Sequence, residues 1–325
     1  GLAASSRVRL ARNIKGYPFR LTEQQHSEIA DKIFAALKEN PTIGPEFDKK
    51  QIIPRSTEAS QLVEEHLISP ELAQNGGWLI VSKDSGVSIM VGEEDHLRLQ
   101  VIGTGLCPKE CLETANRVAS LIEAALPFAY DERLGYLTAC PTNVGTGLRA
   151  SIMLHLPMLT RYKQMGNVNQ SVAKLGLTTR GIYGEGSEAL GDLYQVSNQV
   201  TLGRTEEEII EAVTAVVRQL IDMELSLRAR CLKEQPMDLR DALLRSYGLL
   251  RYALRMDEKE FMLHWSHLRL GAAMGLLPVS LAAADDLLTV AQDAHARRYA
   301  QETAPGEEAD AARCDIIRKT LETNV

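Results

Sequence analysis

The sequence predicts an α+β domain built on antiparallel strands, followed by an all-helical domain. Three observations carry this. At 325 residues the chain exceeds what one ordinary hydrophobic core organises, so two domains are expected. The apolar runs 78–82 and 87–91 flank Lys83-Asp84-Ser85-Gly86 and mark a β-hairpin. Beyond Gln235-Pro236 only helical periodicity remains. The change of composition divides the chain into domains of 1–231 and 232–325.

Taken in order, Arg7 and Arg9 alternate on a strand-like run and so share one face. Thr22 with Gln25 forms a capping box ahead of Ile29, Ile33, Ala36 and Leu37 at helical spacing. The hairpin continues into a third strand near 97–102. Residues 109–125 have helical periodicity and stop before Pro127. Strand-like runs at 177–183 and 193–200 bracket the glycine-rich segment Gly184-Glu185-Gly186-Ser187. Thr205 with Glu208 caps a long helix that reaches about Cys231. The tail reads as helices at about 238–253, 257–275, 279–300 and 307–322, with breaks at Gly275–Pro278 and Pro305-Gly306.

Composition narrows the function. A hydrophobic content of 45% and a charged content of 24% are those of a soluble globular protein. The net charge of -7 argues against a general nucleic-acid binder but leaves room for a local basic pocket. Five cysteines are an odd number in a long chain, which fits a reducing cytoplasm better than a disulfide framework. Cys107 and Cys111 lack a second Cys/His cluster, so no zinc site is expected and no metal-binding residue is named. No run approaches the roughly 18–20 apolar residues of a membrane span, and no signal peptide is visible. The chain opens almost directly on Ser5-Ser6-Arg7-Val8-Arg9, so part of the natural N-terminus is expected to be missing.

Three segments can carry chemistry. Glu93-Glu94-Asp95-His96-Leu97-Arg98 is either a solvated strand end or an acidic site facing a cation, with Arg98 on an anion. The segment Cys140–Arg149 has glycines and threonines suited to backbone N–H contacts with phosphate, without the Lys-Ser/Thr ending of a P-loop. Cys140 is by default a small buried hydrophobe; a reactive thiolate needs a positive neighbour. Arg180–Glu188 is either a plain surface loop or a mobile loop tipped with acids. Arg98, Arg149 and Arg180 sit at the edges of these motifs. With Arg7 and Arg9 they suggest a triphosphate held by guanidinium forks.

Read together, these segments resemble the phosphagen kinases, the family of creatine and arginine kinases. EEDHLR (93–98), CPTNVGTGLRAS (140–151) and the RG-x-x-GE segment with a later acid occur in that family's order, over roughly residues 5 to 230. Residues 131–151, 180–191 and 194–203 look most similar to the bacterial protein-arginine kinase branch. The resemblance implies a guanidino-kinase catalytic domain that takes ATP and Mg²⁺. It implies that Arg7, Arg9, Arg98, Arg149 and Arg180 hold ATP phosphates and that Glu94 grips and orients the guanidinium. Glu188 matches the second acid and Cys140 the reactive cysteine. Tyr183 stands where small-molecule members carry arginine, and Gly92 where members more often have asparagine.

The two ends differ from the small-molecule kinases. Their helical domain ahead of the Arg-x-Arg strand is nearly absent here, and an active site without that lid admits an arginine on a protein. The tail matches the protein-arginine branch, in which it carries dimer contacts and a phosphoarginine pocket built on Arg-Asp-x-x-Arg-Ala. Here that stretch retains Asp310 and Arg313 but has Ala309 in place of the leading arginine. The resemblance further implies a homodimer and protein substrates with exposed arginines destined for a Clp-type chaperone-protease. A stress-gene repressor and a small zinc-binding activator are the other implied partners, with no direct nucleic-acid or membrane binding.

The chemistry explains the residue types. A free guanidinium has a pKa of about 12.5–13.8, so its nitrogen must lose a proton as it attacks phosphorus. Glu94 and Glu188 can fork onto its N–H groups, and Glu94 is the expected base. A Cys140 thiolate would add electrostatic hold on the cation. On the nucleotide side, arginines and Mg²⁺ offset phosphate charge during in-line transfer. Two alternatives stand beside this reading: a small-molecule guanidino kinase, and an inactive adaptor that binds phosphoarginine.

Overall fold

The computed structural model describes residues 1–181, 189–303, 306 and 308–323. Strand β1 (Ala3–Arg12) alternates buried Val8 and Leu10 with Arg7 and Arg9, which assigns the two faces of the strands that pair with it. Helix α1 (Glu23–Lys38) begins at the expected capping box. Gln25 N–H donates to Thr22 Oγ1 at 3.3 Å, and Thr22 N–H to Gln25 Oε1 at 2.9 Å. Next come β2 (Phe47–Ile52), α2 (Thr57–Glu64) and α3 (Pro70–Asn75). None has enough turns or alternations to stand out as a periodic pattern in sequence.

The hairpin forms from β3 (Gly77–Ser82) and β4 (Val87–Val91), and β5 (Leu97–Thr104) follows as the third strand. Helix α4 (Pro108–Ala125) leads to a small ribbon, β6 (Tyr130–Asp131) and β7 (Gly135–Tyr136). Then come β8 (Leu148–His155), α5 (Pro157–Arg161), α6 (Met165–Lys174), β9 (Leu177–Gly181) and β10 (Leu193–Asn198). Helix α7 (Glu206–Glu234) starts at the Thr205–Glu208 capping box. It runs past Cys231, so the expected division at 231/232 falls inside its last turn. Leu232-Lys233-Glu234 holds no breaker. Pro236 has no N–H and pushes Gln235 out of the helical region (φ -136°, ψ 50°), so the helix ends there.

Eight strands form one antiparallel sheet in the order β2-β3-β4-β5-β1-β8-β10-β9. One face carries Val8, Leu10, Leu99, Ala150, Ile152 and Val196 into the main core, with buried residues of α1, α4 and α7 packed on it. The other face is divided. At the β2–β4 end, Leu79 and Met90 join Ile52, Leu62, Ile68 and Leu72 in a second core under α2 and α3. At the β5–β9 end the same face carries polar and charged side chains, and the candidate site lies there.

The tail consists of α8 (Pro236–Tyr252), α9 (Glu258–Ala273), α10 (Leu281–Val290), α11 (Asp293–Thr303) and α12 (Ala309–Thr323). The single helix expected over 279–300 is two helices. No glycine or proline breaks 290–293. Instead, the N–H groups of Ala294 and His295 are capped by Glu64 of α2, at 2.6 and 3.1 Å. A distant carboxylate therefore starts α11 where local sequence has no signal. Among the described residues no helix is long and apolar enough to cross a membrane.

Candidate active site

The five arginines singled out in sequence line one cavity of about 350 Å³. Strand register explains how four strands aim them together. Arg9 lies opposite Arg149 on β8 and Gln100 on β5, and Arg98 lies opposite Ala11. Arg180 on β9 pairs with Gln195 on β10, which pairs with Met153 on β8. Directly paired residues share a face, so all five guanidiniums leave the sheet on the same side.

Their electrostatics are unfavourable without a ligand. Arg7 donates from Nη2 to Gln195 Oε1 at 2.7 Å and from Nε to Ser151 Oγ at 3.4 Å, both neutral partners. Arg98 has a carboxylate: its Nε is 2.9 Å from Glu93 Oε2. Burial, then repulsion from Arg149 and Arg98, pulls the Arg7 guanidinium down to about 10. Arg9 is pushed well below its ordinary value, by burial first and then by Arg7, Arg98 and Arg149. His66, in the same wall, is driven to about 4 by burial and by Arg7, and so is neutral at pH 7. Like charges buried together are costly, and a polyanion relieves that cost.

The acidic segment after β4 is not a solvated strand end. The Glu93 side chain is 1% exposed, sits on Arg98 and accepts the Ser69 hydroxyl. Asp95 is buried and accepts from Asn13 Nδ2 and from the Ala139 N–H, each at 2.7 Å. His96 is buried too: Ile14 N–H donates to its Nδ1 at 2.9 Å, which leaves Nε2–H for Pro18 O at 3.0 Å. Glu94 is the open acid of the three, 43% exposed, with its carboxylate 4.0 Å from Arg98 Nη2. It stands beside the cavity rather than in its wall. Burial, then repulsion from Asp95, raises its pKa, which makes it a better proton acceptor than a free carboxylate.

Asp95 also joins this segment to the next motif. Its bond to the Ala139 N–H places Cys140 one residue from the acidic strand end. Cys140 opens a short 3₁₀ turn over Pro141–Asn143, and its Sγ is 2.9 Å from Thr142 Oγ1. Thr201 Oγ1 fastens the turn through Thr142 O at 2.8 Å and Val144 O at 2.7 Å. The two glycines serve close backbone approach. A Cβ on Gly145 (φ 111°) would meet Thr201 O at 2.7 Å, and one on Gly147 (φ 62°) would meet Arg12 Nη1 at 2.5 Å. Arg149 belongs to β8, not to this loop. The loop's Thr142 and Asn143 line a second cavity of about 200 Å³ that shares Arg149 and Arg180 with the first. The arginine cavity and the Cys140 loop thus meet at two side chains.

Glu188 lies outside the described residues. Asp310 and Arg313 stand in α12, and neither lines the arginine cavity. Arg313 is fully buried and donates to Ala291 O at 2.7 Å, Met256 O at 2.6 Å, Asp310 Oδ1 at 2.9 Å and Asp293 Oδ1. Binding phosphoarginine there would require some of those bonds to break. Among the described residues no group of three or more His, Cys, Asp or Glu is arranged to hold a metal. Sequence reasoning passed over Gln195, Ser151 and His66 as site residues, and within the acidic segment it had no signal that Glu93 and Asp95 are the buried acids. Alternation along 193–198 puts Gln195 on one face, but only the register says which face is Arg7's.

Over residues 28–227 the chain matches the sequence model of the ATP:guanido phosphotransferase C-terminal catalytic domain. Over 236–325 it matches that of the protein-arginine kinase McsB C-terminal domain. It is 44% identical to the protein-arginine kinase of Caldanaerobacter subterraneus subsp. tengcongensis, over 98% of this chain and 96% of that one. It is 40% identical to the protein-arginine kinase of Shouchella clausii, over 98% of this chain and 91% of that one. Among solved structures, lombricine kinase superposes with a TM-score of 0.58 at 28% identity, covering 70% of this chain and 67% of that one. The duplicated taurocyamine kinase from Schistosoma mansoni with bound transition state analog components gives 0.62 at 27% identity, covering 75% of this chain and 37% of that one.

Proposed function

The chain belongs to the ATP:guanido phosphotransferase family, and on that premise we propose that it is a protein-arginine kinase, transferring the γ-phosphate of ATP to arginine side chains of proteins. The observation that carries the reading is the convergence of five arginines from four strands on one cavity, bordered by Glu94 and the Cys140 loop. Arg7, Arg9, Arg98, Arg149 and Arg180 hold the polyphosphate and offset its charge, and Mg²⁺ arrives on the nucleotide. Glu94 aligns the substrate guanidinium and takes its proton as the N–P bond forms and the bond from Pγ to the ADP oxygen breaks. Cys140 supports the cation beside it, and Glu188 is the second carboxylate.

A match to the protein-arginine kinase C-terminal domain and near full-length similarity to protein-arginine kinases favour a protein substrate over a free guanidino compound. We further assign the enzyme to the cytoplasm as a homodimer. Its products are substrates for a Clp-type protease, and a stress-gene repressor and a zinc-binding activator are its regulatory partners. The test is incubation with Mg-ATP and either an unfolded protein or free arginine, followed by mass spectrometry that preserves acid-labile P–N bonds. Phosphoarginine on the protein is the expected product. Fast turnover of free arginine with an unmodified protein would overturn the assignment.

A further inference from the structure

The arginine cavity is not walled by the catalytic domain alone. Besides the guanidiniums its lining includes apolar Val63, Ile68, Pro70 and Met90, and it includes Gln292 from the tail. Arginines suit a polyphosphate, and the apolar stretch suits a base and sugar. Gln292 sits between α10 and α11, 6% exposed. One Nε2–H is committed to Leu288 O at 2.6 Å, which leaves the carbonyl oxygen and the second N–H of the amide for a ligand.

Glu64 ties the turn that follows Gln292 to the catalytic domain. This carboxylate ends α2, lines the same cavity and receives the first N–H groups of α11, from Ala294 at 2.6 Å and His295 at 3.1 Å. It also accepts from His295 Nδ1 at 2.6 Å, while His295 Nε2 lies 3.2 Å from Glu65 Oε1. Hydrogen bonds to Glu64 and then Glu65 push the His295 imidazole up to about 9, so both its nitrogens carry protons at neutral pH. Arg298, one turn on, donates to Gln61 Oε1 at 3.0 Å. A single carboxylate therefore touches the cavity and the docked tail at once.

We propose that the C-terminal domain completes the nucleotide site. Gln292 is a positioning residue for the base-and-ribose end, seated by the contact of Glu64 with α11, so that tail docking and nucleotide binding strengthen each other. The coupling is reciprocal by linkage: whatever docked α11 adds to nucleotide affinity, nucleotide adds to docking. The inference rests on reading the arginine cavity as the nucleotide site.

The experiment is calorimetric titration of Mg-ATP and Mg-GTP into the full chain, with Arg149→Ala as reference and Gln292→Ala and His295→Gln as probes. Gln292→Ala is expected to weaken Mg-ATP by about tenfold and to narrow the preference for ATP over GTP, with kcat at saturating nucleotide changed by less than about twofold. His295→Gln should act in the same direction by about threefold. In the parent chain, bound Mg-ATP should slow amide exchange at Ala294 and His295. Gln292→Met, which keeps the length without the amide, replaces Gln292→Ala if that variant does not fold. If Arg149→Ala loses nucleotide while both probe variants bind as the parent does, the tail has no part in the site. If Arg149→Ala itself binds like the parent, the nucleotide reading of the cavity fails, and the inference with it.

Discussion

Two groups of arginines differ in their setting, the buried ones of α7, α9 and α12 and the half-buried ones of the sheet, and the contrast separates structure from function. In α7, α9 and α12 each has an acid. Arg228 donates to Glu224 at 2.8 Å, Arg269 to Asp285 at 2.6 Å, and Arg313 to Asp310 and Asp293 as well as two carbonyls. On the polar face of the sheet five arginines share one cavity. Arg7 is held by neutral Gln195 and Ser151, and the Arg9 Nε is buried with no hydrogen-bond partner among the described residues. A buried charge with its counter-ion holds a fold together. Like charges crowded into one half-buried cavity mark a candidate site for an anionic ligand.

The largest expected effect tests the edge of the crowded set. Glu94→Gln keeps the shape and removes the proposed base, and should lower kcat for protein-arginine phosphorylation by about 10²–10⁴-fold. Nucleotide affinity should stay near that of the parent, because the neighbouring Glu93 is the acid seated on Arg98. A Glu94→Gln enzyme that labels protein at the parent rate would remove Glu94 from the mechanism.

Next in size is the difference between the two arginine settings. Arg313→Met strands two aspartates and two carbonyls and should reduce unfolding free energy by about 3 kcal/mol in urea titrations. Arg9→Met should leave stability unchanged or raise it, because repulsion from Arg7, Arg98 and Arg149 is relieved. Equal losses from both would erase the contrast. Ligand then sharpens it: Mg-ATP at about a hundred times its Kd should stabilise the parent by about 2.7 kcal/mol in thermal melts, and Arg9→Met should show much less.

The smallest effect is the pH response of the docked tail. The His295 pKa is raised to about 9 in the fold against about 6.5 in the unfolded chain, so its stabilisation is complete below about 6.5 and is lost as pH rises through 9. The groups involved are Glu64, which ends α2, and Glu65 just after it, with Asp293 and Arg298 near His295 on α11. Unfolding free energies from urea titrations should fall between pH 7 and pH 10 by about 1–2 kcal/mol more in the parent than in His295→Gln. Identical profiles for the two would show that the imidazole carries no docking charge.

Much of this was legible in the chain. The Thr22–Gln25 and Thr205–Glu208 caps announced their helices because every group in a capping box lies within four residues. The hairpin over 77–91 announced itself through a turn between two β-rich runs. Arg7 and Arg9 could be given one face because strand alternation is local. What escaped was whatever depends on register or on a distant partner. The pairing of Arg9 with Arg149 is one case, and the burial of Glu93 and Asp95 beside an open Glu94 is another.

By itself the sequence determined the residue types, the local faces and the order of the motifs, and hence that guanidinium forks, acids and a cysteine belong to one family of chemistry. Only the tertiary structure decided that five arginines face one cavity and that Glu64 ends one helix, starts another and lines that cavity. The reason is physical. Caps and alternation are settled over a few residues, whereas a carboxylate that caps a helix about 230 positions away contributes nothing until the chain has folded around it.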